Sequence, residues 1–248
     1  MPIDWYYYMT RTYNSAETRT KLLEVARDVI RAKGYTATTV DDICAAAGVT
    51  KGAFFHHFES KERLGVAAVE RFEAMAAALF GSAPYSANPD PHERAPGYVD
   101  FRASVLHGDI AKYTCPMGTT VHEVHATRPD LRAACDQGMS EHVAELTRDI
   151  EAAKQRYAPD APWSAESVGY FMQTVLQGAF IFAKAKQSPA IAVESLGHLR
   201  RYPEMILGQS SNDNPGEKSH DQVAGKAHSG RHALGDPDAG LRRRGGRH

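Results

Sequence analysis

Paired cysteines are missing from this chain. Its three, Cys44, Cys115 and Cys135, stand far apart and in no metal-finger spacing. Neither a disulfide framework nor a structural zinc site is therefore expected, and reduced thiols in a cytoplasmic protein are. Long apolar runs are missing too: nothing approaches the roughly 18 residues that span a membrane, and no signal peptide is recognisable. Charge of one sign is in short supply, since 29 Lys and Arg against 30 Asp and Glu leave a net charge of -1. A general polyanion binder is excluded, and any nucleic-acid contact must come from local charge placement. No Ser, His and Asp set, carboxylate pair or phosphate loop stands in a supporting strand-and-turn context, so catalysis has no visible machinery and an enzyme is not expected. No repeat of solenoid period occurs either. What remains is a chain of 248 residues, 42% hydrophobic, enough for a substantial core.

The information that is present is concentrated at 39–58, TVDDICAAAGVTKGAFFHHF. Thr39 can accept from the amide of Asp42 while Asp42 reaches back, a capping box that starts a helix. Val40, Ile43 and Ala47 share one face, and Gly48 supplies the left-handed exit that ends it. Val49 belongs to the turn, Thr50 caps a second helix, and Phe54 and Phe58 recur at i, i+4 as its inward side. Lys51, Gly52, Ala53, Phe55 and His57 are left facing outward. Two short helices about a glycine turn match the helix-turn-helix, whose second helix lays its N-terminal residues against base edges in the major groove. Lys51 is a donor for that purpose, and Gly52 and Ala53 are small enough for close approach. Ser60 can cap the next helix, from 61 to about 80, whose positive end and Lys61 ammonium are expected on a backbone phosphate.

With Thr39, Ile43, Ala47, Gly48, Val49, Thr50, Gly52, Phe55 and Phe58, followed by Ser60-Lys61-Glu62 and Leu64, the stretch 15–75 resembles the TetR family of bacterial transcriptional regulators. The resemblance implies an all-α fold: an N-terminal three-helix helix-turn-helix DNA-binding domain plus a C-terminal helical ligand-binding and dimerisation domain. It implies a homodimeric repressor on a near-palindromic double-stranded DNA operator, paired through the helices at 164–187 and 190–207. A small-molecule effector in the second domain would move the helix at 61–80 and change the separation of the two recognition helices. Thr39, Thr50, Lys51, Gly52, Ala53, Phe55, His57 and Lys61 become the expected DNA-binding residues. Related regulators often carry Tyr where Phe55 stands, its hydroxyl meeting a phosphate. Phe55 cannot do so, and His57, Lys61 and the helix-start amides are expected to carry more of the anchoring. Cys44 stands where the family usually has Ala.

Along the chain, 1–14 carries Trp5, Tyr6, Tyr7 and Tyr8 with no cap or period and is expected as a flexible arm. Met9 is an alternative start, and Arg11 and Arg19 are placed to touch phosphates. Ser15 caps a bracing helix marked by Leu22, Leu23, Ala26, Val29 and Ile30 and ended by Lys33-Gly34. Tyr35 and Thr38 then lie in a loop, packing or binding phosphate. The Pro-, Ser- and Gly-rich segment 81–96 reads as a break. Helical spacing resumes over 97–113 (Tyr98, Phe101, Val105, Ile110), pauses at Cys115-Pro116, continues over 117–126, and restarts at Pro129 for a long helix to 157. Ser164 caps a helix to 187 that is apolar almost all round, hence buried on more than one side. In the last helix Pro203 removes a hydrogen bond at a cost of about 3 kcal/mol, and is expected to shorten or bend it. The Gly-, Ser-, Asp-, His- and Arg-rich segment 209–248 is expected to be a disordered tail. The domains are thus 1–14, 15–75, 76–208 and 209–248.

Within the second domain, Phe101, Tyr113, Met117, His122, Met139, Phe171, Gln173 and Gln177 are candidate pocket residues, core packing being the equal alternative. His122, Glu123 and His125 have zinc-ligand chemistry but no fourth ligand in a recognised spacing, so no metal and no cofactor is assigned. Cys115 precedes Pro116 at a helix start, where amides and the helix dipole lower a thiolate pKa. A repressor sensing redox state or electrophiles through Cys115 therefore stands as one alternative, against burial of that thiol as a small apolar group. A DNA-binding architectural protein without inducer stands as another. A cavity bearing convergent polar groups favours the ligand-responsive regulator, and a solid core the architectural protein.

Overall fold

The computed structural model describes residues 5–208, with side chains from residue 15 onward. Among the described residues the chain is all-α. Helices α1 (Trp5–Lys33), α2 (Val40–Ala47), α3 (Lys51–His57) and α4 (Lys61–Gly81) are followed by a short 3-10 turn, Pro84–Ala87. Then come α5 (Pro91–Ser104), α6 (Ile110–Tyr113), α7 (Pro116–Val124), α8 (Pro129–Tyr157), α9 (Ala165–Lys186) and α10 (Ala190–Gly208). No helix among the described residues is long and apolar enough to cross a membrane.

Three boundaries differ from the sequence reading, each for a local reason. Helix α1 is already formed at Trp5, so Ser15 lies inside a helix and not at its cap. Residues 5–33 contain neither Pro nor Gly, and nothing in the covalent chain interrupts the helix where an irregular arm was expected. Helix α5 begins at Pro91, inside the expected break, because Asp90 accepts from the His92 amide and Pro91 fills a first-turn position where its missing N–H is no loss. Pro96 is tolerated near the same end of that helix. The spacing over 97–113 is in fact two helices, separated at Gly108, whose φ of 77° is left-handed. Pro203 sits buried inside α10 without ending it. The expected tail at 209–248 lies outside the described residues, as do the Arg11 side chain and the Trp5 to Tyr8 aromatics.

Two main apolar clusters hold the molecule together. One is built on Leu22, Ala26, Ile43, Ala47, Phe54, Phe58 and Leu64, from α1 to α4, and it continues into α7 and α8 through Met117, Val124, Leu131 and Cys135. The other joins α4, α5, α8, α9 and α10 through Phe80, Tyr98, Val99, Leu146, Met172, Leu176, Phe180 and Leu196. The first cluster matters most for function, because the small N-terminal domain cannot tilt freely while its core is completed by α7 and α8.

Candidate functional site

The helix-turn-helix is assembled by local capping. Thr39 accepts from the Asp42 amide at 3.1 Å and its own amide donates to the Asp42 carboxylate at 2.7 Å, closing the capping box of α2. Lys33 adds an ion pair to the same carboxylate at 2.5 Å. With Lys33, the Thr39 hydroxyl at 2.6 Å and the Thr39 amide all on it, the Asp42 carboxyl is held well below the usual carboxylate range, the Lys33 contact contributing most. Gly48 ends α2 at φ 63° and ψ 38°, and Thr50 caps α3 by accepting from the Ala53 amide at 3.1 Å. Phe54 and Phe58 turn inward at 0% and 5% exposure. Lys51, Gly52, Phe55 and His56 face solvent, and Ala53 and His57 are half-buried. Phe55 is 55% exposed, a large apolar ring on the outer face of α3.

Electrostatics on that face are sparse. Lys51 leans on Asp41 at 2.8 Å with both side chains largely exposed, so the pair is free to open toward another partner. Burial, then the neighbouring His56 and Arg19, push the His57 pKa down. His57 is accordingly a neutral hydrogen-bonding group near pH 7, not a cation. Arg19 lies with its guanidinium 5.2 Å from the Phe58 ring centre, at the edge of the same surface.

Lys61 is placed differently from the expected phosphate ligand. Its ammonium donates to the carbonyls of Tyr35 at 3.0 Å and Thr38 at 2.8 Å, and lies 4.2 Å from the Tyr35 ring centre. Burial and the nearby Arg128 lower its pKa. Tyr35 and Thr38 are buried, so the loop between α1 and α2 is packed, not presented to a phosphate. From the other side Glu123, on α7, accepts from the amides of Tyr35 at 3.2 Å and Thr36 at 2.7 Å. Gly34 is required under that carboxylate twice over: its φ is 89°, and a Cβ there would stand 2.3 Å from Glu123 Oε1. Glu123 is thus committed to the loop, while His122 and His125 on the same helix are exposed. Among the described residues no group of three or more His, Cys, Asp or Glu side chains is arranged to hold a metal.

A cavity of about 550 Å³ opens between α1, α4, α5, α6, α7, α8 and α9. Tyr113, Met117, Met139, Gln173 and Gln177 line it, as the sequence suggested. Phe101 does not; it packs behind the wall, with ring centres 5.9 Å from Phe80 and 6.0 Å from Tyr85. His122 points to solvent from α7. Phe171 is 42% exposed on the outer side of α9, stacked on Tyr202 at 4.6 Å. Helical spacing identified these three as face residues without saying which face meets the cavity.

The polar lining was largely unforeseen. Gln173 donates to the Tyr98 oxygen at 2.8 Å, and Tyr98 O–H is 2.8 Å from His142 Nε2. If the Tyr98 proton goes to His142 Nε2, the imidazole is the neutral tautomer protonated at Nδ1, the nitrogen 3.7 Å from the Glu145 carboxylate. Burial, and then Arg102, push the His142 pKa down to about 4. Arg31 and Arg102 also reach the cavity. Nothing in the periodicity of α1 or α5 marked them, because the cavity is assembled from seven helices and has no period of its own. Cys115 lies on the wall and its Sγ accepts from the Gly118 amide at 3.4 Å, capping α7. Cys44 and Cys135 are buried, the latter with its pKa pushed up to about 12 by burial.

An exposed apolar stripe runs along α9 and α10. Phe171 and Phe182 are 11 residues apart, about three helical turns, and so share a face with Tyr170 and Ile181 beside them. Val193 and Met205 extend the exposed apolar surface onto α10.

Comparison with known proteins agrees with both halves of this architecture. Residues 22–68 match the model of bacterial regulatory proteins of the tetR family, and residues 91–191 match the LmrA/YxaF-like transcriptional regulator C-terminal domain. The chain is 27% identical over 174 residues to the transcriptional regulator AcuR of Cereibacter sphaeroides, covering 68% of this chain and 77% of that protein. It is 25% identical over 186 residues to the HTH-type transcriptional repressor NemR of Escherichia coli strain K12, covering 74% and 92%. In fold it resembles a TetR transcriptional regulator from Chloroflexus aurantiacus, with a TM-score of 0.68 at 23% identity over 77% of this chain and 96% of that one. With a capped helix-turn-helix in front, a helical cavity domain behind, and matching family models over each, the chain belongs to the TetR family of bacterial regulatory proteins.

Proposed function

We propose that this protein is a homodimeric, cytoplasmic transcriptional repressor that binds a near-palindromic operator and leaves it when a small molecule occupies the second-domain cavity. The observation that carries the reading is the coexistence of an exposed, capped recognition helix with a largely apolar cavity of about 550 Å³ that also bears Arg, Gln and His side chains, in one packed unit. In this reading α3 enters the major groove. Lys51 meets a base edge, Gly52 and Ala53 allow close approach, and Thr39, Thr50, Phe55 and His57 border the backbone. Lys61 acts from inside the domain, fixing the loop against which α2 starts. Two copies pair through the apolar stripe of α9 and α10, which sets the recognition helices about 34 Å or a multiple apart. No catalytic step is needed. An architectural DNA-binding protein would have no use for the cavity, which is where the two readings part.

Selection of DNA from a random pool with the purified full chain, repeated across salt, tests the proposal. Enrichment of an inverted repeat, with affinity well above that for random DNA, is expected. Binding without preference for any inverted repeat sinks the operator reading.

A further inference from the structure

The cavity collects the unpaired polar atoms of the molecule. Among the described residues, four buried side-chain nitrogen or oxygen atoms lack a hydrogen-bond partner: Arg31 Nε, Arg102 Nε, Tyr113 Oη and Thr114 Oγ1. All four residues line the cavity. Buried polar groups are nearly always satisfied, so four exceptions on residues of one cavity wall single that wall out. Tyr113 and Thr114 are 9% and 1% exposed, so bulk water does not serve them from outside.

The two arginines give the cluster its sign. Arg27, Arg71, Arg94, Arg128, Arg156 and Arg200 each form an ion pair. Arg31 and Arg102 form none among the described residues. Each lies against aromatic rings instead: the Arg31 guanidinium carbon is 5.0 Å from the Phe72 ring centre, and that of Arg102 is 5.0 Å from Phe80 and 5.5 Å from Phe180. A cation–π contact leaves guanidinium N–H groups available to bind a planar oxyanion. The carboxylates on the wall are otherwise engaged. Asp109 caps α6 through the Ala111 amide at 3.1 Å, Glu145 faces His142 at 3.7 Å, and Glu73, half-buried, hydrogen-bonds Glu141, desolvation and then that contact raising its pKa. The two guanidiniums are near enough to repel, and burial with the neighbouring Arg27 pushes the Arg31 pKa down to about 10. Two like charges with no ion pair of their own repel, and an anion between them relieves that repulsion.

We propose that the cavity binds an organic anion, an oxyanion head such as a carboxylate on an apolar body, with Arg31 and Arg102 gripping the head. The body fits among Phe72, Met75, Leu79, Val105, Met117 and Met139, and the Tyr113 and Thr114 hydroxyls serve its remaining polar atoms. The volume lies within the roughly 300–1,000 Å³ of small-molecule sites, so the body is several carbon atoms long or an aromatic ring system. A cation would add to the positive charge of Arg31, Arg102 and Lys112 on the wall, and a neutral ligand would leave both arginines unpaired.

This inference names the effector class for the repressor proposed above, and its test is separable from that reading. Calorimetric titration of the full chain, without DNA, uses two matched pairs: decanoate with decanol, and naphthoate with naphthalenemethanol. At least one acid is expected to bind at least about ten-fold more tightly than its alcohol, the worth of a charge-assisted hydrogen bond. Arg31→Gln and Arg102→Gln are each expected to erase most of that preference while leaving alcohol binding unchanged. Their thermal midpoints without ligand should match or exceed the parent's, because an unpaired buried charge has been removed. Equal affinity for acid and alcohol, or no binding of either acid, overturns the inference whether or not the variants fold. Acid binding that leaves an operator complex intact would retain the anion site and discard the effector role. Release of the operator by the alcohols alone would do the reverse.

Discussion

Replacing Lys61 by methionine separates an internal brace from a phosphate ligand. Methionine keeps most of the apolar stem and removes the ammonium, which donates to the Tyr35 and Thr38 carbonyls and lies against the Tyr35 ring. A hydrogen bond to a charged group is worth about 1.5–3 kcal/mol, and the lower end applies because the site is only part-buried. An exposed cation–π contact adds about 0.5–1 kcal/mol. With two such bonds the loss is about 3.5–4 kcal/mol, which for a chain of this size lowers Tm by roughly 7–16 °C. Calorimetry at fixed protein concentration reads that shift, and operator titration across salt reads the other half. Removing a phosphate contact would reduce the slope of log K against log salt by about one. Removing an internal brace leaves the slope of the folded protein unchanged and lowers the melting temperature. A Lys61→Met protein with its midpoint unmoved and its salt slope reduced by one would refute the placement of Lys61 inside the domain.

Three other outcomes follow from particular contacts. Phe55→Tyr puts a hydroxyl on the exposed face of α3, where a phosphate would take it, and should tighten binding to operator and random DNA alike by roughly 1 kcal/mol. Gel-shift titration on both DNAs checks it, and unchanged affinity would mean that this ring does not border the backbone. His142 has a folded pKa of about 4 against an ordinary 6.5, so between those values the unfolded chain binds the extra proton and stability falls as pH falls. The loss approaches 3 kcal/mol by pH 4, and urea titrations from pH 7 to 4 should find it largely absent in His142→Gln. A parallel fall in both proteins would assign the acid sensitivity elsewhere. Phe182→Glu places a charge in the apolar stripe of α9, and sedimentation should find monomers where the parent forms dimers, with operator affinity lost and helicity retained.

Local chemistry explains what could be read from the sequence. The caps at Thr39, Thr50, Ser60 and Ser164 and the helix-opening prolines Pro116 and Pro129 depend on residues within three positions of themselves, and all stand at helix starts in the structure. Pro91 misled because the same residue that breaks a helix interior also opens a helix, and Asp90 decides which. Lys61 was legible as a cation at a helix start, but its partners are carbonyls that come within reach only after the loop at 35–38 has folded back. Glu123 showed only ligand chemistry, because its acceptor role depends on amides 87 and 88 residues away. The cavity combined both situations. Its members on α7, α8 and α9 could be picked as apolar or amide side chains on buried helices, whereas no motif or spacing singled out Arg31 or Arg102.

The loop at 35–38 joins the two halves of the proposed switch. Its carbonyls are held by Lys61 on α4, and its amides by Glu123 on α7, so the entry to α2 is fixed from both polar sides. Both holders belong to helices that also line the cavity, α4 through Phe72 to Phe80 and α7 through Met117. Helix α1 reaches it as well, through Arg31, one residue after Ile30 in the core that braces α2 and α3. A ligand can shift an equilibrium only by its differential affinity for the two arrangements. Here it would touch three elements whose positions set the recognition helix, and an anion would draw Arg31 on α1 and Arg102 on α5 together against their mutual repulsion. Contacts on both sides of the domain boundary are what such a preference requires. A coupling of about 1–3 kcal/mol, the usual range, would weaken operator binding roughly 5–150-fold. A ligand confined to the walls of α5, α8 and α9 would fill the same volume without reaching the loop, and should bind without releasing DNA.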